Sequence, residues 1–307
     1  MAPNLLVLLA GITPLYGIVA SGFIAGKVLK TERESLANLL MYVISPVVFF
    51  GGIVTAPDLH HTLLLLPIFF GIGCTIGTIF YFVSKYFHES SERSLLGFAA
   101  GAANTGCFGI PLVLVILGPD ALGAAVLATI GLDLFEYSLG YYFLVRHHKS
   151  PRDAIKKIVS SPALWGFVAG MIAAICGLHP DASFLNAIAY FKGAYVIIGM
   201  MIIGLGLATA TRSSFDRKFT TTAFVAKFIC FPVVVALLAA ADQCIFHMFS
   251  PTVHTVMFLL SIVPIASDTV AFATTLNMHP EKVACTVVLS TVFALGYIPA
   301  CIAIFLH

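Results

Sequence analysis

Gly101-Ala102-Ala103-Asn104-Thr105-Gly106-Cys107-Phe108-Gly109-Ile110-Pro111-Leu112 lies inside a long apolar run, yet this stretch does not favour an uninterrupted helix. Pro111 removes an N–H and its ring clashes with the carbonyl one turn back, while Gly106 and Gly109 permit unwound backbone. Asn104 adds a polar side chain. The surroundings give this break its meaning. The 307 residues are 60% hydrophobic and only 10% charged, with a mean hydropathy of +1.02. A soluble domain of this size needs far more charge to cover its surface. Apolar stretches recur along the whole chain, each near the ~20 residues a helix needs to cross the hydrocarbon core. The break therefore falls at membrane depth, where freed N–H and C=O groups must face protein or water.

A second interruption, Ser261-Ile262-Val263-Pro264-Ile265-Ala266-Ser267-Asp268-Thr269-Val270, places a proline ahead of three polar residues. One such segment reads as an ordinary proline kink, which membrane helices tolerate. Two at corresponding places point to a binding site. Ten spans are expected, at about 4–27, 35–55, 62–86, 94–117, 121–145, 161–178, 184–208, 219–241, 252–276 and 282–305. The first lacks the basic flank of a cleaved signal, because residues 1–26 hold no Lys or Arg. The seven cysteines, including Cys74, Cys107, Cys176, Cys230, Cys285 and Cys301, read as small apolar residues and not as disulfide or metal ligands.

Charge orients the spans. One set of alternate loops holds 14 of the 16 Lys and Arg residues: Lys27, Lys30, Arg33, Lys85, Arg93, Arg146, Lys149, Arg152, Lys156, Lys157, Arg212, Arg217, Lys218 and Lys282. The opposite loops, around Asp58 to His61, Pro119-Asp120, His179 to Asp181 and Asp242 to His247, hold none. Excess positive charge marks cytoplasmic loops, so both termini are expected outside the cell or in the periplasm, with the chain in the plasma or inner membrane. His60-His61 and His147-His148 read as solvated loop residues, and the basic run from Arg146 to Lys157 as a topology determinant beside anionic lipid.

Spans one to five match six to ten at a shift of 161 residues, which sets Pro119-Asp120 opposite Pro280-Glu281. Units of five spans insert with opposite orientations. The expected fold is thus an all-α polytopic membrane protein of two inverted five-helix repeats, 1–145 and 161–307, joined by a basic loop at 146–160. Such repeats typify secondary transporters, with the site at the midplane where they meet. The half-helix starting near Pro111 would present its positive end to an anionic group, with Asn104 and Thr105 alongside.

Asp133, Glu136, Lys192, Lys227 and Asp268 lie within spans. Each costs at least ~2.5 kcal/mol in hydrocarbon, so each is expected to face protein or water. Asp268 either carries a coupling Na⁺ or H⁺ with Ser267 and Thr269, or caps the following half-helix. Asp133 and Glu136 share a helical face that Thr129 extends. Asp133 reads equally as part of a cation path or as a partner of Lys227 or Lys192, whereas Glu136 reads as structural.

From Asn104-Thr105-Gly106-Cys107-Phe108-Gly109-Ile110-Pro111 on to Gly118-Pro119-Asp120-Ala121-Leu122, the chain resembles the auxin efflux carrier family of plant PIN carriers and bacterial malonate- and malate-type permeases. The resemblance covers essentially the whole chain. It implies a scaffold domain and a transport domain, with the fourth and ninth helices crossing at their breaks, and a homodimer through the scaffold. It carries a substrate role to Asn104, Thr105, Gly106, Gly109 and Pro111, and the second crossover to Pro264, Ser267 and Thr269. Asp268, Asp133 and Thr129 are the candidate cation-coupling residues. The long cytosolic loop and the Asn-Pro-Gly triplet of the plant carriers are missing, since Thr105 follows Asn104, so the chain looks like a short, bacterial-type member. Related sodium-coupled bile acid symporters share the architecture, which keeps Na⁺ open beside H⁺.

The expected partners are a small organic anion and the bilayer, with no nucleic acid and no bound cofactor. A channel would not need two matching breaks. An intramembrane aspartyl enzyme built on Asp133 and Asp268 lacks a recognisable protease motif, and no nucleophile–His pair lies at membrane depth.

Overall fold

A computed structural model describes residues 5–56, 59–145, 160, 162–178, 180–209 and 215–305. Among these the regular structure is entirely helical: α1 (Leu5–Ile24), α2 (Arg33–Val54), α3 (Leu65–Tyr86), α4 (Ser90–Gly101), α5 (Ile110–Leu117), α6 (Pro119–Val145), α7 (Pro162–Ile175), α8 (Ala182–Thr209), α9 (Arg217–Phe246), α10 (Pro251–Ser261), α11 (Asp268–Thr275) and α12 (Pro280–Phe305). The run Arg146 to Lys157, with His147 and His148, and the positions Asp58, His179 and Arg212 lie outside the described residues.

Among the described residues seven stretches are long and apolar enough to cross a membrane: α2, α3, the run from α4 through α5, α6, α8, α9 and α12. Shorter apolar helices lie in α1, α7 and α10. Their outer faces fit lipid and not water. On α9, Ile229, Val233 and Leu237 recur every four residues and are 57%, 50% and 65% exposed. A stripe of that kind in water is an aggregation site, whereas acyl chains solvate it. The chain is a multi-pass membrane protein. Its seven cysteines are all unpaired.

Without a hydrophobic force between helices in lipid, close packing must hold them together, and small residues permit it. α1 runs along α8, and α7 along α2. A Cβ built on Gly204 of α8 would fall 2.0 Å from the Val19 carbonyl oxygen of α1, and one on Gly166 of α7 would fall 2.2 Å from that of Pro46. Both helix pairs thus touch backbone to backbone. Elsewhere α3 lies between α4 and α6, and α12 packs against α9 and α11.

Polar ties close both ends of α9. Asp216 caps the helix by accepting from the Phe219 N–H at 3.0 Å. Lys282 of α12 reaches Asp216 at 2.8 Å and also binds Glu92 of α4. Lys282 holds the Asp216 carboxyl below the usual carboxylate range. At the far end, the Asp242 carboxylate accepts from the N–H groups of Met248 and Phe249 at 3.0 and 3.1 Å, with His254 Nε2 at 2.9 Å.

Candidate functional site

The two interruptions are real breaks, and they touch. α4 stops at Gly101, and Ala102 is extended with φ −86° and ψ 154°. Helix resumes through one wide turn at Thr105–Gly109, where the Gly109 N–H donates to the Asn104 carbonyl at 3.1 Å, and continues as α5. α10 ends at Ser261, and α11 begins at Asp268. The freed backbone finds partners in protein, as the hydrocarbon demands. The Asn104 N–H donates to the Pro264 carbonyl at 3.0 Å. The Ile265 N–H donates to Ser290 Oγ of α12 at 3.2 Å, and that hydroxyl donates onward to the Val287 carbonyl at 2.7 Å.

Two cavities meet at these breaks. The larger, of about 440 Å³, is lined by Arg33 from the first turn of α2, by Ile203 and Gly206 of α8, and by Val270 of α11 and Val288 of α12. The smaller, of about 110 Å³, is lined by Thr105, Gly106, Thr129, Asp133, Glu136 and Asp268. Asn104 and Ser267 belong to the walls of both.

The smaller cavity gathers oxygen. Asp268 opens α11, where a carboxylate suits the positive helix end, and its Oδ2 accepts from the Tyr137 hydroxyl at 3.1 Å. Thr129 is 2% exposed and its Oγ1 has no hydrogen-bond partner. Among the described residues no three of His, Cys, Asp and Glu converge closely enough to hold a metal ion.

The expected site residues therefore divide. Asn104, Ser267, Thr105, Gly106, Thr129, Asp133 and Asp268 line the cavities. Gly109, Pro111, Pro264 and Thr269 line neither; the first three make packing or backbone contacts at the breaks, while the buried Thr269 hydroxyl has no partner among the described residues. A Cβ on Gly109 would lie 2.6 Å from Leu260 Cδ2, and one on Gly199 of α8 would lie 3.5 Å from the Pro111 ring. Pro264 supplies the carbonyl that Asn104 binds. Thr269 is 1% exposed.

The intramembrane charges also sort themselves. Glu136, read from the sequence as structural, faces the smaller cavity. Lys227 is fully buried, with its Nζ 3.7 Å from the Phe231 ring centroid and no hydrogen-bond partner. Among the described residues no carboxylate lies within ion-pairing distance of Lys227 or Lys192. Sequence reasoning missed Tyr137, Ser290 and Arg33. The first two resemble any polar residue on an apolar helix, and Arg33 was absorbed into the positive loop charge.

Comparison with known proteins identifies the family. Residues 7–302 match the family model described as membrane transport protein. The chain is 25% identical over 305 residues to an uncharacterized transporter of Methanocaldococcus jannaschii, covering 96% of both chains. It is 29% identical over 184 residues to an uncharacterized transporter of Methanothermobacter thermautotrophicus, covering 58% of this chain and 60% of that one.

Proposed function

This chain belongs to the membrane transport protein family, the family of the auxin efflux carriers, and we propose that it is a secondary active transporter of small organic anions working by alternating access. The observation that carries the proposal is the junction of the two breaks. Asn104 and Pro264 are bonded there, and Asn104 and Ser267 wall both an acidic cavity and a larger one. A carrier that couples two solutes needs two adjoining sites that respond to one movement. Two broken helices meeting inside the bundle supply them.

The wider architecture of the proposal is ten spans in two inverted five-helix repeats, 1–145 and 161–307, around the basic loop 146–160. Helix occupies part of each of the ten expected segments. The packing of α1 on α8 and of α7 on α2 also supports it, because these pairs exchange when the repeats are swapped. The loop charges favour both termini outside, in a plasma or inner membrane. In this reading the fourth span (α4 with α5) and the ninth (α10 with α11) cross at the breaks. Asp268, Asp133 and Thr129 take the coupling cation, and Asn104 and Ser267 bridge it to the substrate.

The test is reconstitution into liposomes with a carboxylate panel, applying pH and Na⁺ gradients separately. Wild type is expected to concentrate at least one carboxylate under one gradient. Asp268→Asn is expected to fold and to lose gradient-driven uptake. Concentrative uptake by the Asn variant at the wild-type rate removes Asp268 from coupling. Failure of wild type to move any carboxylate overturns the organic-anion reading.

A further inference from the structure

We propose that Arg33 is the residue that grips the substrate's carboxylate from the larger cavity, an assignment that rests on the organic-anion reading above. Arg33 opens α2, is partly buried, and lines the same cavity as Asn104 and Ser267. Among the described residues it is the one cation in that lining, and the other charged liner, Glu281, is an exposed residue. Its guanidinium lies against the α8 backbone, with Nε and Cζ each 3.7 Å from a Cβ built on Gly206. Among the described residues no carboxylate lies within ion-pairing distance of it and no side-chain hydrogen bond engages it. No described side chain engages this planar fork of five donors at the wall of a cavity of about 440 Å³.

Two further observations favour this seat over the one expected at the restart of the fourth span. The Thr105–Gly106 backbone opens into the smaller cavity, whose wall includes Asp133, Glu136 and Asp268. An anion there would face three carboxylates, whereas a cation would be welcome. Much of the remaining wall is apolar, with Ile202, Ile203, Leu207, Val288 and Leu289, while Asn104, Ser267, Thr274 and Thr291 add amide and hydroxyl groups. One cationic fork on a largely apolar wall selects an amphipathic carboxylate, held by paired N–H···O bonds while its apolar body lies against α8 and α12. A topology charge would not need this placement, since Lys27 and Lys30 supply positive charge to the same loop.

The experiment compares wild type, Arg33→Lys and Arg33→Gln in proteoliposomes. The probes are hexanoate, benzoate and succinate, with hexanamide and benzamide as neutral counterparts in binding titrations. Thermal stability in detergent is followed in parallel. Arg33→Gln is expected to raise the carboxylate KM by about tenfold or more with little change in kcat, and to leave amide binding unchanged. Arg33→Lys keeps the charge but loses the fork, and is expected to raise KM by about threefold or more. A rise below about threefold in Arg33→Gln overturns the assignment, as does an equal loss of amide and carboxylate binding. If the Gln variant does not fold, Arg33→Lys decides, and a KM within about twofold of wild type overturns it. Absence of carboxylate transport and binding in wild type is a different result, because it removes the organic-anion reading and this assignment with it.

Discussion

Ser290→Ala isolates how the second break is held together. Ser290 is fully buried in α12, and its Oγ accepts the Ile265 N–H at 3.2 Å while donating to the Val287 carbonyl at 2.7 Å. Alanine removes both bonds and almost no volume. The Val287 carbonyl keeps its helical partner. The Ile265 N–H does not, because it lies in unwound backbone between α10 and α11. An orphaned buried donor costs about 1–3 kcal/mol, a roughly 5- to 150-fold shift in the opening equilibrium. Thr291→Val is the matched control. Thr291 Oγ1 also donates to the Val287 carbonyl, at 2.9 Å, but receives no N–H from the break. Its loss should cost under about 1 kcal/mol. The assay is hydrogen exchange on detergent-solubilised protein, read at Ile265 and at a reference amide in α9. Exchange at Ile265 should accelerate in Ser290→Ala and not in Thr291→Val, with the α9 amide unchanged in both. Equal exchange at Ile265 in wild type and Ser290→Ala would show that the break is satisfied some other way.

Two more substitutions probe the packing and the buried charges. Gly204→Ala places a Cβ 2.0 Å from the Val19 carbonyl oxygen and should lower stability by about 1–3 kcal/mol. Gly193→Ala, in the same helix with nothing within 4 Å of its Cβ, should be neutral or gain up to about 1 kcal/mol; equal melting temperatures for the two variants would refute the contact. Glu136 and Lys227 are both buried in the bundle; if they sustain one another's charge, Glu136→Gln should lower stability and Glu136→Gln with Lys227→Met should restore it. A double variant no more stable than the single, by thermal melting, would sink the pairing.

Much of the fold was legible because membrane helices announce themselves by length and apolarity. The breaks were legible because proline with neighbouring glycines at Gly106–Pro111, and proline ahead of three polar residues at Pro264–Thr269, are poorly compatible with continuous apolar helix. The site was legible only in part, since motif letters do not separate residues that line a cavity from those that shape it. Gly109 and Pro111 belong to the same run as Asn104, yet one spares Leu260 a clash and the other packs near Gly199. Ser290 and Tyr137 act at long range, 25 residues from Ile265 and 131 from Asp268. No local pattern encodes such distances. Arg33 was hidden for another reason. A cation at the start of a span already has a sufficient explanation in topology, so nothing in the sequence asked for a second one.

The shared wall of Asn104 and Ser267 carries a thermodynamic obligation. Any factor by which an occupant of the acidic cavity changes affinity in the larger one must act equally in the other direction. A coupling cation that tightens the hold on a carboxylate will itself be held more tightly once the carboxylate is bound. Four dissociation constants form a closed cycle, so three of them determine the fourth. Equilibrium titrations alone therefore reveal the strength of the linkage between the two solutes, before any gradient is applied or a single turnover is counted.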